Sequence, residues 1–151
     1  MSLGAIVYFS HATFFGGNVF FNDVTVSRGN VFLDNVTFSG GNVTFEGAAF
    51  SGGNVFFNDV TVSGGNVTFN NARFSGGNVM FDGATFSGGD VTFGGASFFG
   101  GSVTFGRAAF SRGSVNFEAT AGPVLVGLLA AVGTPVPSQV RLPAGWLPPG
   151  P

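Results

Sequence analysis

Val67-Thr68-Phe69-Asn70-Asn71-Ala72-Arg73-Phe74-Ser75-Gly76-Gly77-Asn78 is followed at once by Val79-Met80-Phe81-Asp82-Gly83-Ala84-Thr85-Phe86-Ser87-Gly88-Gly89-Asp90, the same twelve-residue frame a second time. Outward from this pair the frame continues in both directions. Val7, Val19, Val31, Val43, Val55, Val67, Val79, Val91, Val103 and Val115 fill one slot without exception. Two residues later stand Phe9, Phe21, Leu33, Phe45, Phe57, Phe69, Phe81, Phe93, Phe105 and Phe117. A small apolar slot (Ala12, Val24, Val36, Ala48 and so on to Ala108) and a second large one (Phe14, Val26, Phe38, Phe50 and so on to Phe110) complete the unit V-x-F-x-x-A-x-F-S-G-G-N. A fixed short period marks units that cannot bury an apolar face alone and must stack. V-x-F and A-x-F each alternate with period two, so each is a three-residue strand with both apolar residues on one face. The connectors are rich in Gly, Asn, Asp and Ser, residues suited to turns with positive φ. Helix is excluded, because apolar spacings of 2, 3, 2 and 5 do not follow a 3.6 period. All seven Pro lie beyond residue 122, so none interrupts a backbone ladder in the repeats.

Composition narrows the function classes. Of 151 residues, 27 are Gly and 21 are Phe, and only 8% are charged. So many Phe argue against a solvated linker despite the Gly content. The absence of Cys excludes disulfides, thiol chemistry and a Cys-based metal site. A net charge of −2, with five Arg and no Lys, offers no basic footprint for nucleic acid.

The five-residue step, with a large apolar residue two after a small one, resembles the pentapeptide-repeat motif. Phe21 to Val24 and Phe69 to Ala72 keep that step, whereas Ser-Gly-Gly-Asn, as at Ser63 to Asn66, lengthens every second step to seven. The resemblance covers roughly residues 4 to 120 and implies a right-handed, four-sided β-helix with the large and small residues pointing inward. A right-handed path is also what parallel crossovers adopt.

One coil could hold 12 residues or 24. The outward residues favour 24: alternate units give the files Tyr8, Phe32, Phe56, Met80, Thr104 and Phe20, Thr44, Thr68, Thr92, Asn116. The identical segments 16–27 and 52–63 cut the other way, because an offset of 36 is not a multiple of 24. The expected fold is therefore an all-β, right-handed parallel β-helix over residues 4–118, five coils tall, with residues 119–151 as a C-terminal cap and Pro-rich tail. The frame reads as slipping after Glu118, where Ala119 stands one position early.

No catalytic, cofactor-binding or metal-ligating set emerges. The one His, His11, sits in a corner slot without an orienting partner. The acids Asp23, Asp34, Glu46, Asp59, Asp82, Asp90 and Glu118 are scattered over turn slots, which Asp favours for backbone reasons. Gly-Gly-Asn is no phosphate loop, since neither the Lys nor the following helix is present. Seven acids offset by five Arg are too few to imitate the charge of DNA. The expectation is a non-enzymatic, pentapeptide-repeat-like structural or protein-interaction module without cofactor. The alternative is an ice-binding solenoid using the Thr rank Thr13, Thr37, Thr61, Thr85.

The file Tyr8, Phe32, Phe56, Met80 marks an interface, because outward positions of a free solenoid should be polar. Together with an uncapped first coil (Ile6, Phe9, Phe14), it predicts a homo-oligomer, most simply a two-fold dimer. The opening Met1 to Phe9 has neither the basic region nor the long apolar core of a signal peptide, and no stretch reaches the length of a membrane span. A cytoplasmic location with no membrane or nucleic-acid partner is expected.

Overall fold

The computed structural model describes residues 2–3, 6–133 and 135–147; Gly4, where the repeat frame was expected to begin, and the tail 148–151 lie outside them. Short parallel strands stack into a four-walled β-helix with 24 residues per coil. Wall 1 is built from Val7–Tyr8, Asn30–Phe32, Asn54–Phe56 and the ends of Arg73–Met80 and Ser97–Thr104. Wall 2 holds Thr13–Phe14, Thr37–Phe38, Thr61–Val62, Thr85–Phe86 and Ala109–Phe110. Wall 3 runs from Val19–Phe20 through Val43–Thr44, Val67–Thr68, Val91–Thr92 and Val115–Asn116 to Val140–Arg141. Wall 4 contains Ser2–Leu3, Thr25–Val26, Ala49–Phe50 and the starts of the two long strands. Ser2–Leu3 belongs to the sheet as well, although Leu3 pairs with Val26 at an offset of 23.

The inward frame is as the sequence spaces it. Val67, Phe69, Ala72 and Phe74 are all buried. Among the described residues no polar residue is buried as a whole, although the Thr104 and Thr120 hydroxyls are shielded from solvent without a partner. The Phe rings of wall 3 form one column, Phe21, Phe45, Phe69, Phe93 and Phe117, with centroids 4.7–4.9 Å apart. Those of wall 1, Phe57, Phe81 and Phe105, meet this column edge to face, as for Phe57 and Phe69 at 5.7 Å and 83°. Such geometry adds about 0.5–1.5 kcal/mol per pair beyond burial.

Two corner types alternate. The two-residue corner is a β-turn closed by bonds such as Ala72 N–H to Phe69 O, 3.1 Å. Its second residue is left-handed in every coil, from His11 through Asn71 (φ 60) to Ala119, which Asn, Asp and Gly tolerate best. In Ser-Gly-Gly-Asn corners such as Ser63 to Asn66 both glycines are short of space, although Arg28 and Arg112 fill the first Gly slot of two other corners. A Cβ on Gly64 would fall on the Ser39 carbonyl one coil below, and one on Gly65 on the carbonyls of Gly40 and Gly41.

Where the large slot shrinks, the small slot grows: Val24 accompanies Val26, Val36 accompanies Leu33, and Val60 accompanies Val62. Compensation is incomplete. Cavities of about 20 and about 10 Å³ remain beside Val24–Val26–Leu33 and Val60–Val62. Val60→Ala with Val62→Phe restores the wall 2 ring column between Phe38 and Phe86, and about 1 kcal/mol of stabilisation is expected. Val62→Phe alone overfills the site and loses about 1–3 kcal/mol. Urea unfolding of the three proteins checks this; a double variant no more stable than the single one would contradict it.

The C-terminal segment is a sixth, irregular coil. The repeat frame does not slip at Ala119, which takes the left-handed corner slot. Thr120 takes the small inward slot, and Ala121 pairs with Ser97 on wall 4. The frame fails one residue later, where Gly122 stands in a Phe slot. Trp146 supplies the missing ring from the tail: it packs on Phe98 and Phe117 at 5.9 and 5.6 Å, and its Nε1–H donates to Gly122 O at 2.9 Å. Val126 then joins wall 1 beside Thr104, the short helix Leu128–Val132 lies over the end of wall 2, and Val140–Arg141 closes wall 3.

Candidate interaction surface

Wall 1 carries a continuous outward apolar file, whereas the exposed Phe20 of wall 3 is followed by Thr44 and Thr68. Strand register places Tyr8, Phe32, Phe56, Met80 and Thr104 directly above one another. The Tyr8 and Phe32 rings stack at 4.8 Å and 9°, and Phe32 and Phe56 at 5.0 Å and 11°. Tyr8 is 69% exposed; Phe32, Phe56 and Met80 are half-buried by one another and by the corners. The structure extends the file by one position, because Val126, 65% exposed, bridges to Thr104. Sequence reasoning missed Val126, since its offset of 22 from Thr104 breaks the 24-residue frame. Phe99, 73% exposed, stands at the neighbouring corner.

The Thr rank is also in register. Thr13, Thr37, Thr61 and Thr85 pair in order along wall 2 and end at Ala109. Thr44, Thr68 and Thr92 lie on wall 3. The two ranks are therefore on adjacent walls around a corner, not side by side on one plane.

The corners carry the polar chemistry. Asn18, Asn42, Asn66 and Asp90 each accept, through Oδ1, the backbone N–H of the residue 24 positions on, at 3.0–3.1 Å. Asp34, Asn58 and Asp82 do the same on the corner between walls 1 and 2. The ladders thus run from side chain to backbone and satisfy corner N–H groups that no strand pairs. Asp34, Asp82 and Asp90 are thus structural acceptors, and among the described residues no group of three His or carboxylate side chains is placed to hold a metal.

Desolvation pushes the Asp34 carboxyl up, outweighing the Asn58 N–H bond. Asp90 is held below its ordinary 3.8, first by the Ser114 backbone N–H and then by the Ser114 hydroxyl. A depressed carboxyl contributes stability above its unfolded pKa and loses it as pH falls through the folded value. Wild type should therefore exceed Asp90→Asn in stability at pH 5–7, by about 0.5 kcal/mol or less for so exposed a group. The difference should vanish near pH 2, as read from paired thermal melts. An equal gap at both pH values would remove the charge from the explanation.

No protein-family model and no curated protein matches the chain. Among solved structures it is similar to HetL, a pentapeptide repeat protein involved in heterocyst differentiation regulation from the cyanobacterium Nostoc sp. strain PCC 7120. The identity is 11%, covering 79% of this chain and 85% of that one, with a TM-score of 0.12. The four-walled fold rests on the strand register described above and not on that superposition. No helix among the described residues is long and apolar enough to cross a membrane.

Proposed function

We propose that this chain is a non-enzymatic protein-interaction module of the pentapeptide-repeat type, working through wall 1. One observation carries the reading: an apolar file held in register over consecutive coils on a solenoid whose other exposed wall positions are mostly Thr, Ser, Ala, Asn or Arg. Rigid aromatic side chains at fixed spacing are what a contact surface needs, because they bury large area with little loss of rotamer freedom. Catalysis is no part of this reading: a surface cleft lined by Asn22, Asp23, Glu46, Gly47 and Asn71 brings two carboxylates together, but its lining includes no nucleophile with a base and an orienting partner.

The contact is self-association. Sedimentation equilibrium from about 10 to about 300 μM should show reversible dimerisation, with Phe32→Ser plus Phe56→Ser holding the protein at its 15.3 kDa monomer mass. A wild type that stays monomeric across the range defeats the reading. The Thr rank supports a second reading less well, because a single file per wall presents a narrow face. Unaltered ice growth with folded protein would dispose of it.

A further inference from the structure

We infer that the partner of wall 1 is a second copy of this chain, docked about a two-fold axis parallel to the solenoid axis, so that both copies point the same way. This rests on wall 1 being the contact surface. The first argument is the period. The file repeats at 4.8–5.0 Å per coil, and a partner matching it over several coils must carry the same repeat. Another wall 1 does so by construction.

The second argument is charge, and it sets the orientation. The two edges of wall 1 are unlike. The edge toward wall 2 carries Asp34, Asp59 and Asp82, with His11 at one end and Arg107 at the other. The edge toward wall 4 consists of the corners Ser27–Asn30, Ser51–Asn54, Ser75–Asn78 and Phe99–Ser102, and the one charged residue among these is the exposed Arg28. A two-fold axis across the solenoid would lay one carboxylate edge on the other. An axis along the solenoid lays the carboxylate edge of one copy against the Arg28 edge of its partner. Arg28 and Asp34 flank Phe32 in one coil, so each comes level with its counterpart on the other copy and the contact forms twice by symmetry.

The third argument is area. A wall of five coils at about 4.8 Å, three residues wide, lies at the small end of interface sizes. Such a dimer dissociates readily, and an apolar strip this narrow does not override opposed charges along its flank.

The lack of Cys makes the geometry testable by single substitutions. In the parallel arrangement each file residue meets its own counterpart, so Met80→Cys should oxidise to a disulfide-linked dimer at concentrations where association is observed. Thr61→Cys, on wall 2, should not. A mixture of Tyr8→Cys and Met80→Cys should give only same-site products. Arg28→Glu should weaken the dimer about tenfold, and adding Asp34→Arg should restore it. Cross-site Tyr8–Met80 products without Met80 self-linkage would overturn the parallel geometry while leaving wall 1 as the contact. Absence of association, or association that survives Phe32→Ser with Phe56→Ser, would overturn the underlying reading itself.

Discussion

Gly65→Ala should destabilise the protein by about 3–5 kcal/mol, while the same change at Gly16 is neutral to within about 0.5 kcal/mol. Gly65 is left-handed at φ +48, and its added Cβ would occupy the space of the Gly40 and Gly41 carbonyls in the coil below. The left-handed conformation costs an L-residue about 1–2 kcal/mol. The clash adds more, because those carbonyls belong to a corner locked between coils and cannot swing away as a side-chain tip would. Gly17 separates the two causes. It is left-handed at φ +64 but meets nothing within 4 Å, so Gly17→Ala should lose only the conformational part, about 1 kcal/mol. Gly16, with neither constraint, is the control. Chemical denaturation of the three variants gives the order Gly65, Gly17, Gly16 directly. Equal losses at Gly65 and Gly17 would mean that turn conformation alone, and not coil-on-coil contact, dictates Gly-Gly.

Trp146→Ala should cost about 3–5 kcal/mol, concentrated in the last two coils. The indole is buried and completes the ring column above Phe98, while also covering Phe117. Its removal leaves a cavity that Gly122 cannot fill and frees the Gly122 carbonyl from its bond. Each coil of a solenoid is stabilised mainly by its neighbours, so the loss should appear as fraying from this end. Amide exchange should accelerate at Val115 and Phe117, whose N–H groups donate to Gln139 O and Arg141 O in the sixth coil. Val67 and Phe69, which bond to the coil above at Asp90 and Thr92, should keep their protection. Trp146→Phe should recover most of the packing and lose about 1 kcal/mol through the missing N–H donor. Unchanged exchange at Val115 and Phe117 in Trp146→Ala would show that the sixth coil holds without its ring.

The inward frame was legible in the residues because each slot is filled by one physical demand. Only Val, Phe and Ala or its near equivalents fit the repeating interior, so spacing alone gave the strands, the corners and the wall 1 file. Size trading at Val60 and Val62 is visible in the sequence too, although the small cavities it leaves are not. The glycines read as turn residues; that the carbonyl of the previous coil crowds individual ones, as Ser39 does Gly64, required the stacked backbone.

The dodecapeptide 16–27 recurs unchanged as 52–63, yet the first copy lies on walls 3 and 4 and the second on walls 1 and 2. Phe20 consequently stands alone below Thr44, whereas its twin Phe56 sits inside the apolar file between Phe32 and Met80. Local sequence fixes strand, corner and inward face, because those depend on neighbours within a few residues. It does not fix the wall, because membership is set by the residue 24 positions away that happens to lie beneath. The same holds for the cap. Nothing within reach of Gly122 in sequence announces Trp146, and only the closed path of the sixth coil brings that ring over the column that lacks one.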